Sequence, residues 1–263
     1  MCGRFVLYNI RPLTPGFAAF KYGPETGPYP FESIEPSYNI PPTSKILIAR
    51  IRQFSPLDSP DRNPERPLGV ERAQGEPPSK GPGFESAQPE MALLHWGLVP
   101  SWAKDIKIGA RMINARAETV AEKPAFRSAF RHRRCLIIAD GFYEWKRSVK
   151  PSQPYYFSMK DGKPFAIAGL WEHWKDAEGK VVETCAMITT GPNNLMRPVH
   201  DRMPVILPEK AYGYWCNPAT DNPKKLLSLL KPYPGIRMNS WPVSLAVNIP
   251  KTNDKHCIER LKD

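Results

Sequence analysis

Residues 135–145 read CLIIADGFYEW, and this stretch is the most informative one about the fold. Its β-branched and aromatic residues favour a strand, and the pair Asp140-Gly141 is typical of a turn. Further stretches have the same composition between turn residues. These predicted strands are Lys45–Arg50, Met91–Trp102, Tyr155–Met159, Phe165–Trp174, Glu183–Thr190, Arg202–Leu207 and Pro242–Asn248.

Helical patterns are fewer than strand patterns. The predicted helices are Glu122–Arg134, Pro208–Trp215 and Asn222–Lys231. In the first of them, spacings of three and four residues place Arg127, Arg131 and Arg134 on one basic outer face. The balance of patterns predicts an α+β fold in which strands dominate.

The composition predicts a folded intracellular protein. Hydrophobic residues make up 41% of the 263 residues and charged residues 24%, as in globular domains. No apolar run approaches the ~20 residues of a membrane helix, and the N-terminus lacks the apolar core of a signal peptide. The 5 cysteines show no Cys-x-x-Cys spacing, and the 5 histidines show no His-Glu-x-x-His pattern. We therefore expect reduced thiols, no metal and no cofactor.

The charge of the chain bears on its partner. The formal net charge is +11, which favours a polyanion such as nucleic acid because basic side chains neutralise phosphates. Many basic proteins bind no nucleic acid, so the charge alone leaves the partner open.

A segment of different composition interrupts the chain. Gln53–Glu90 is rich in Pro, Gly, Ser and charge and has almost no apolar periodicity, which predicts a disordered insertion. It would join two neighbouring strands, Lys45–Arg50 and Met91–Trp102. A linker between domains is the alternative, but the short segment before it could hardly form a core alone. We therefore expect one domain over residues 1–263.

Cys2 directly follows the initiator methionine, where a side chain has few neighbours to pack against. Aminopeptidases remove Met1 when the second residue is small, so the mature chain would begin with a free amine and a thiol in one residue. Such a 1,2-aminothiol condenses with an aldehyde to a five-membered thiazolidine, because no second nucleophile has to be recruited. Position alone favours the alternative, an inert cysteine.

The stretch MINARAET, residues 112–119, carries a row of polar side chains. If it is extended, Asn114, Arg116 and Glu118 point to one side and the alanines between them to the other. Such a row suits the wall of a ligand groove, and an ordinary exposed strand face is an equal alternative.

Two further positions could carry acid–base chemistry. Glu144 lies between Tyr143 and Trp145, and partial burial there would raise its pKa toward neutral pH, where a carboxyl group shuttles protons. A structural salt bridge is the alternative. In RPVHDRMP, His200 and Arg202 share a face of an extended chain, and a histidine beside a cation acts as a neutral acid or base near pH 7.

Prolines accompany aromatic residues in PSYNIPPT, residues 36–43, and in HWGLVPSWA, residues 95–103. Rigid prolines beside Trp96 and Trp102 could form a platform for nucleic-acid bases, where stacking contributes ~1–3 kcal/mol per base. A core position is the alternative for each tryptophan.

These motifs resemble those of one known family. MCGRF, YNIPPT, WGLVPSWA, INARAET, RRCLIIADGFYEW, AGLW and HDRMPVIL occur in the order found in the SOS response-associated peptidase (SRAP) family. The resemblance runs from Cys2 to about Asn248 and excludes the insertion. It implies an α+β fold with a small closed or bifurcated β-barrel surrounded by helices.

The resemblance also implies an activity. A protein of this kind binds single-stranded DNA and links Cys2 covalently to the ring-opened aldehyde of an abasic site, which shields the site during the DNA damage response. Asn114 would position the amine and the sugar, Glu144 would shuttle protons and assist removal of Met1, and His200 would protonate the sugar oxygen. The residues implied in DNA binding are Arg4, Asn39, Pro41, Trp96, Arg116 and Arg202, the two last as phosphate clamps.

The implied partner is single-stranded DNA with abasic sites, including junctions between single and double strands. We expect a monomer, associated with the nucleoid in a bacterium or located in the nucleus of a eukaryote. Two other functions stay open: a cysteine peptidase with an N-terminal nucleophile, and a module that binds nucleic acid without a covalent bond. Cys2→Ser distinguishes them, because it abolishes a thiazolidine and leaves simple binding intact.

Overall fold

The structure is a computed structural model that describes residues 3–9, 17, 34–52 and 88–262. The described residues form two β-sheets. The strands are β1 (Phe5–Leu7), β2 (Ser37–Ile40), β3 (Lys45–Arg52), β4 (Gln88–Trp96), β5 (Asn114–Arg116), β6 (Arg134–Ala139), β7 (Gly141–Lys146), β8 (Gln153–Met159), β9 (Phe165–Lys175), β10 (Val181–Thr190), β11 (Met203–Pro204), β12 (Ile206–Leu207) and β13 (Met238–Pro242). The α-helices are α1 (Arg127–His132), α2 (Tyr212–Cys216) and α3 (Pro223–Ser228). Short 3-10 helices span Ile106–Arg111, Glu209–Ala211, Gly235–Arg237, Leu245–Asn248 and Lys255–Ile258.

Strands β3, β4, β10, β9 and β6 close into a barrel, because β10 pairs with β4 on one side and with β9 on the other. The β4–β10 pair is parallel, and the other neighbours in the ring are antiparallel. Ile48, Ile137 and Ile167 lie opposite one another on three adjacent strands and are buried. Such cross-strand rows of β-branched side chains pack well on a pleated surface.

The second sheet has the strand order β13-β8-β7-β1-β2. The chain passes from the barrel into this sheet at Asp140, whose Oδ2 accepts the backbone N–H groups of Tyr8 and Asn9 at 2.6 and 2.7 Å. A Cβ atom on Gly141 would lie 2.3 Å from the ring of Tyr156, so the next residue has to be glycine. The turn therefore holds β7 beside the N-terminal strand β1.

The predicted α+β fold with a small β-barrel is confirmed. The stretch 135–145 forms two strands, one in each sheet, because the chain turns at Asp140. Of the three predicted helices, α1 and α3 are shorter than predicted, and in the remaining one the 3-10 helix Glu209–Ala211 continues into α2. None of the helices formed by the described residues is long and apolar enough to cross a membrane.

Several predicted bounds need correction. The strand predicted over Met91–Trp102 ends at Trp96, and the one predicted over Arg202–Leu207 is divided into β11 and β12. Pro242–Asn248 is not a strand, since β13 ends at Pro242 and a 3-10 helix follows, which Ser244 caps by accepting the N–H of Ala246. The predicted insertion is too long at its end, because residues 88–90 pair with β3 as the start of β4. Residues 53–87 lie outside the described residues.

Candidate active site

Glu144 lies in β7, between β1 and β8, and its side chain is almost completely buried. Burial disfavours the charged carboxylate and raises the pKa of Glu144 to about 7. A carboxyl group with such a pKa binds and releases a proton near neutral pH, as a general acid and base must.

His200 faces this carboxyl group. Its Nε2 lies 3.8 Å from Oε2 of Glu144. Arg202 donates its backbone N–H to His200 Nδ1 at 3.0 Å, so the neutral ring carries its proton on Nε2, on the side of Glu144. Burial lowers the pKa of His200 and so favours the neutral ring. Asp201 Oδ1 lies 3.0 Å from Nδ1, where it would accept a hydrogen bond from the charged ring.

The polar row of MINARAET alternates as predicted. Asn114 and Arg116 belong to β5, which pairs in parallel with the end of β10. Ala115 between them is buried, whereas the side of the row that carries Arg116 and Glu118 is exposed. The strand β5 and the turn after it therefore present an amide and two charged groups beside the barrel, with small residues between them.

Arg202 lies next to this row. Its Nη1 and Nη2 donate to Oε1 and Oε2 of Glu118 at 2.7 and 2.9 Å, and Nη2 also donates to the Thr189 carbonyl oxygen at 2.7 Å. Since Thr189 pairs with Arg116 across the sheet, the two predicted phosphate clamps lie near one point. Sequence reasoning placed Glu118 in the polar row but did not pair it with Arg202, which is 84 positions away.

The N-terminal strand runs beside the segment that carries Glu144. Phe5 pairs with Phe142, and Tyr143 donates its backbone N–H to the Arg4 carbonyl oxygen at 3.0 Å. Cys2, the predicted nucleophile, lies outside the described residues. Within the described ranges, no three His, Cys, Asp or Glu side chains are grouped to hold a metal ion.

Arg4 and Asn39, which the resemblance implies in DNA binding, form hydrogen bonds within the protein. Arg4 Nη1 donates to Asn39 Oδ1 at 2.7 Å and to the Val247 carbonyl oxygen at 2.8 Å. Asn39 is buried, and its Nδ2 donates to the carbonyl oxygens of Val247, Ile249 and Thr252. The two side chains therefore fix β1 and β2 to the C-terminal segment.

Trp96, for which base stacking and a core position were the two alternatives, lies in the core. Its side chain is fully buried, its Nε1 donates to the Ile113 carbonyl oxygen at 2.9 Å, and its ring packs edge-on against Phe5. Pro41 is partly exposed, as groove lining requires. Trp102 is 59% exposed and is thus the tryptophan of this stretch that a base could reach.

The fold and the motifs agree with one family of proteins. The model of the SOS response associated peptidase (SRAP) family matches residues 1–250, and the chain belongs to this family.

Individual relatives carry more specific names. The abasic site processing protein YoqW of Bacillus subtilis (strain 168) is 40% identical over 261 residues, which cover 98% of this chain and 99% of that protein. The abasic site processing protein HMCES of Xenopus tropicalis is 30% identical over 197 residues, which cover 66% of this chain and 58% of that protein.

Solved structures are similar as well. A crystal structure of a protein from Bordetella bronchiseptica superposes with a TM-score of 0.64 at 25% identity and covers 93% of this chain and 100% of its own. A protein from Bacteroides thetaiotaomicron superposes with a TM-score of 0.61 at 31% identity, covering 68% of this chain and 79% of its own.

Proposed function

We propose that this protein processes abasic sites in single-stranded DNA by joining Cys2 to the aldehyde of the opened sugar. The amine of Cys2 adds to the aldehyde carbon, and one water leaves as the imine forms. The thiol sulfur then adds to the imine carbon, and its proton goes to the nitrogen. The product is a thiazolidine, and both nucleophiles come from one residue, which makes the ring closure intramolecular.

The contact between Glu144 and His200 carries this proposal. The pKa of Glu144 near 7 lets it accept a proton from the amine and return it to the departing hydroxyl at neutral pH. The neutral His200, with its proton on Nε2, can donate to the sugar oxygen as the ring opens. Glu144 lies in β7, which pairs with the N-terminal strand β1, and His200 contacts Glu144.

DNA binding is the second part of the proposal. Arg116 is exposed on the polar row, and Arg202 lies beside it, so two guanidinium groups could bind adjacent phosphates. The net charge of +11 supports attraction of a polyanion. The names of the relatives support abasic sites as the lesion.

A crosslinking assay tests the proposal. Protein with its mature N-terminus is incubated with a labelled single strand that contains one abasic site, and heat-stable adducts are separated by denaturing electrophoresis. We expect an adduct with the wild type and none with Cys2→Ser. A strand whose abasic aldehyde has been reduced to the alcohol should also give none.

The same assay separates the alternatives. A peptidase with Cys2 as its nucleophile would cleave peptides and would not distinguish the aldehyde from the alcohol. A module that binds without covalent chemistry would retain both strands equally and lose them on heating. Absence of any adduct with the correctly processed wild type would reject the proposal.

A further inference from the structure

Glu118 holds Arg202 in a geometry that resembles the binding of a phosphate group. Its two carboxylate oxygens bind the two Nη atoms side by side, at 2.7 and 2.9 Å. A phosphodiester offers two oxygens of the same total charge to the same pair of donors. Glu118 is 53% exposed and Arg202 is 15% exposed, so the anion lies on the solvent side of the cation.

The guanidinium group of Arg202 cannot easily turn a different edge toward a phosphate. Its Nη2 is fixed to the Thr189 carbonyl oxygen at 2.7 Å, and its backbone N–H is fixed to His200 Nδ1. Its Nε is buried and has no hydrogen-bond partner among the described residues, so this third donor faces the interior. A phosphate that binds Arg202 therefore has to displace Glu118 or share the Nη atoms with it.

Glu118 is ionised when this competition takes place. The hydrogen bond to Arg202 lowers its pKa, and the positive charge of Arg116 lowers it further. Because Glu118 is tethered beside Arg202, its effective concentration there is high compared with that of a free strand.

We propose that Glu118 is a specificity-determining residue, which occupies the phosphate position on Arg202 and weakens the binding of intact single strands. This inference rests on the proposed function. A strand that is also held through its damaged sugar keeps a phosphate near Arg202 long enough to displace Glu118. An undamaged strand lacks that second attachment and is released.

The test compares Glu118→Gln with a matched control, Glu122→Gln. Glu122 is exposed on the turn that follows the polar row, so its replacement changes the net charge equally without freeing Arg202. An intact strand competes with a labelled abasic strand in the crosslinking assay, and its direct binding is measured by fluorescence anisotropy over a range of salt concentrations.

We expect Glu118→Gln to bind the intact strand about fivefold more tightly than Glu122→Gln, as the loss of one competing ion pair allows. The intact competitor should then inhibit adduct formation at a concentration about fivefold lower. For Glu118→Gln, the slope of log affinity against log salt concentration should be steeper by about 0.7 than for Glu122→Gln, which corresponds to one more phosphate contact. In an Arg202→Ala background, Glu118→Gln should change the affinity no more than Glu122→Gln does.

Other outcomes overturn the inference. Weaker binding by Glu118→Gln would mean that Glu118 positions Arg202 for the phosphate. Equal effects of the two Gln variants would mean that Glu118 acts only through its contribution to the net charge. Both results leave the proposed function standing if the wild type forms its adduct. A wild type that neither binds single strands nor forms an adduct would overturn both proposals.

Discussion

Replacing Glu144 by Gln should remove a part of the stability that depends on pH. Burial raises the pKa of this carboxyl group from its usual 4.5 to about 7 in the folded protein. The native state thus keeps a proton that the unfolded chain releases at lower pH. The stabilising contribution is therefore complete below about pH 4.5 and is lost as the pH rises through about 7. At roughly 1.4 kcal/mol per pH unit, the loss is about 3 kcal/mol.

Urea unfolding of both proteins between about pH 4 and about pH 8 measures this loss. His200 lies next to Glu144, but it is present in both proteins, so the part of its contribution that does not depend on Glu144 cancels in their difference. We expect the wild type to lose about 3 kcal/mol relative to Glu144→Gln over this range. A difference that stays constant within about 0.5 kcal/mol would refute the raised pKa and with it the proton shuttle.

Other changes test other parts of the structure. Asn39→Ala should lower the free energy of unfolding by about 2 kcal/mol, because it leaves buried carbonyl oxygens without their donor; an unchanged urea midpoint would contradict the structural role. Trp102→Ala should weaken single-strand binding by about 1 kcal/mol or more in anisotropy titrations if a base stacks on it, and unchanged affinity would exclude the stacking. Replacing residues 53–87 by Asn-Gly should preserve cooperative melting, because Arg52 and Gln88 are paired across β3 and β4 and a two-residue turn can join them. Loss of the cooperative transition would show that the replaced residues contribute to the fold.

Local composition was sufficient to predict most of the strands. In Lys45–Arg50 and Phe165–Trp174, a few β-branched or aromatic residues are enough to predict a strand, and turn residues indicate where it ends. The failure at Pro242–Asn248 has a local cause, since Ser244 starts a 3-10 helix there. The β-barrel was predicted from the resemblance to a family and not from the pattern of residues.

Burial of polar side chains was not predictable from local sequence. Arg134 was expected on an exposed helix face, but α1 ends at His132 and Arg134 begins β6. Its buried guanidinium donates to carbonyl oxygens at the ends of two helices, including those of Phe130 and Trp215. Helical spacing no longer applied once the chain had become a strand.

The sequence predicted which residues belong to the candidate site, but it did not predict which of them contact one another. Glu144 and His200 were each proposed from local features, but their meeting depends on how the second sheet packs against the loop before β11. Asn39 looked like groove lining within its motif, yet the carbonyl oxygens that its Nδ2 binds lie more than 200 positions away. Contacts between residues so far apart in the chain cannot be predicted from a short stretch of sequence.

Mass spectrometry of the N-terminal peptide tests the covalent step most directly. After incubation with an abasic single strand and nuclease digestion, the peptide that begins at Cys2 should carry the opened sugar with the loss of one water. Both its amine and its thiol should then be blocked to alkylating reagents. A peptide that retains Met1, or a sugar attached to a lysine while the Cys2 thiol stays reactive, would contradict the account.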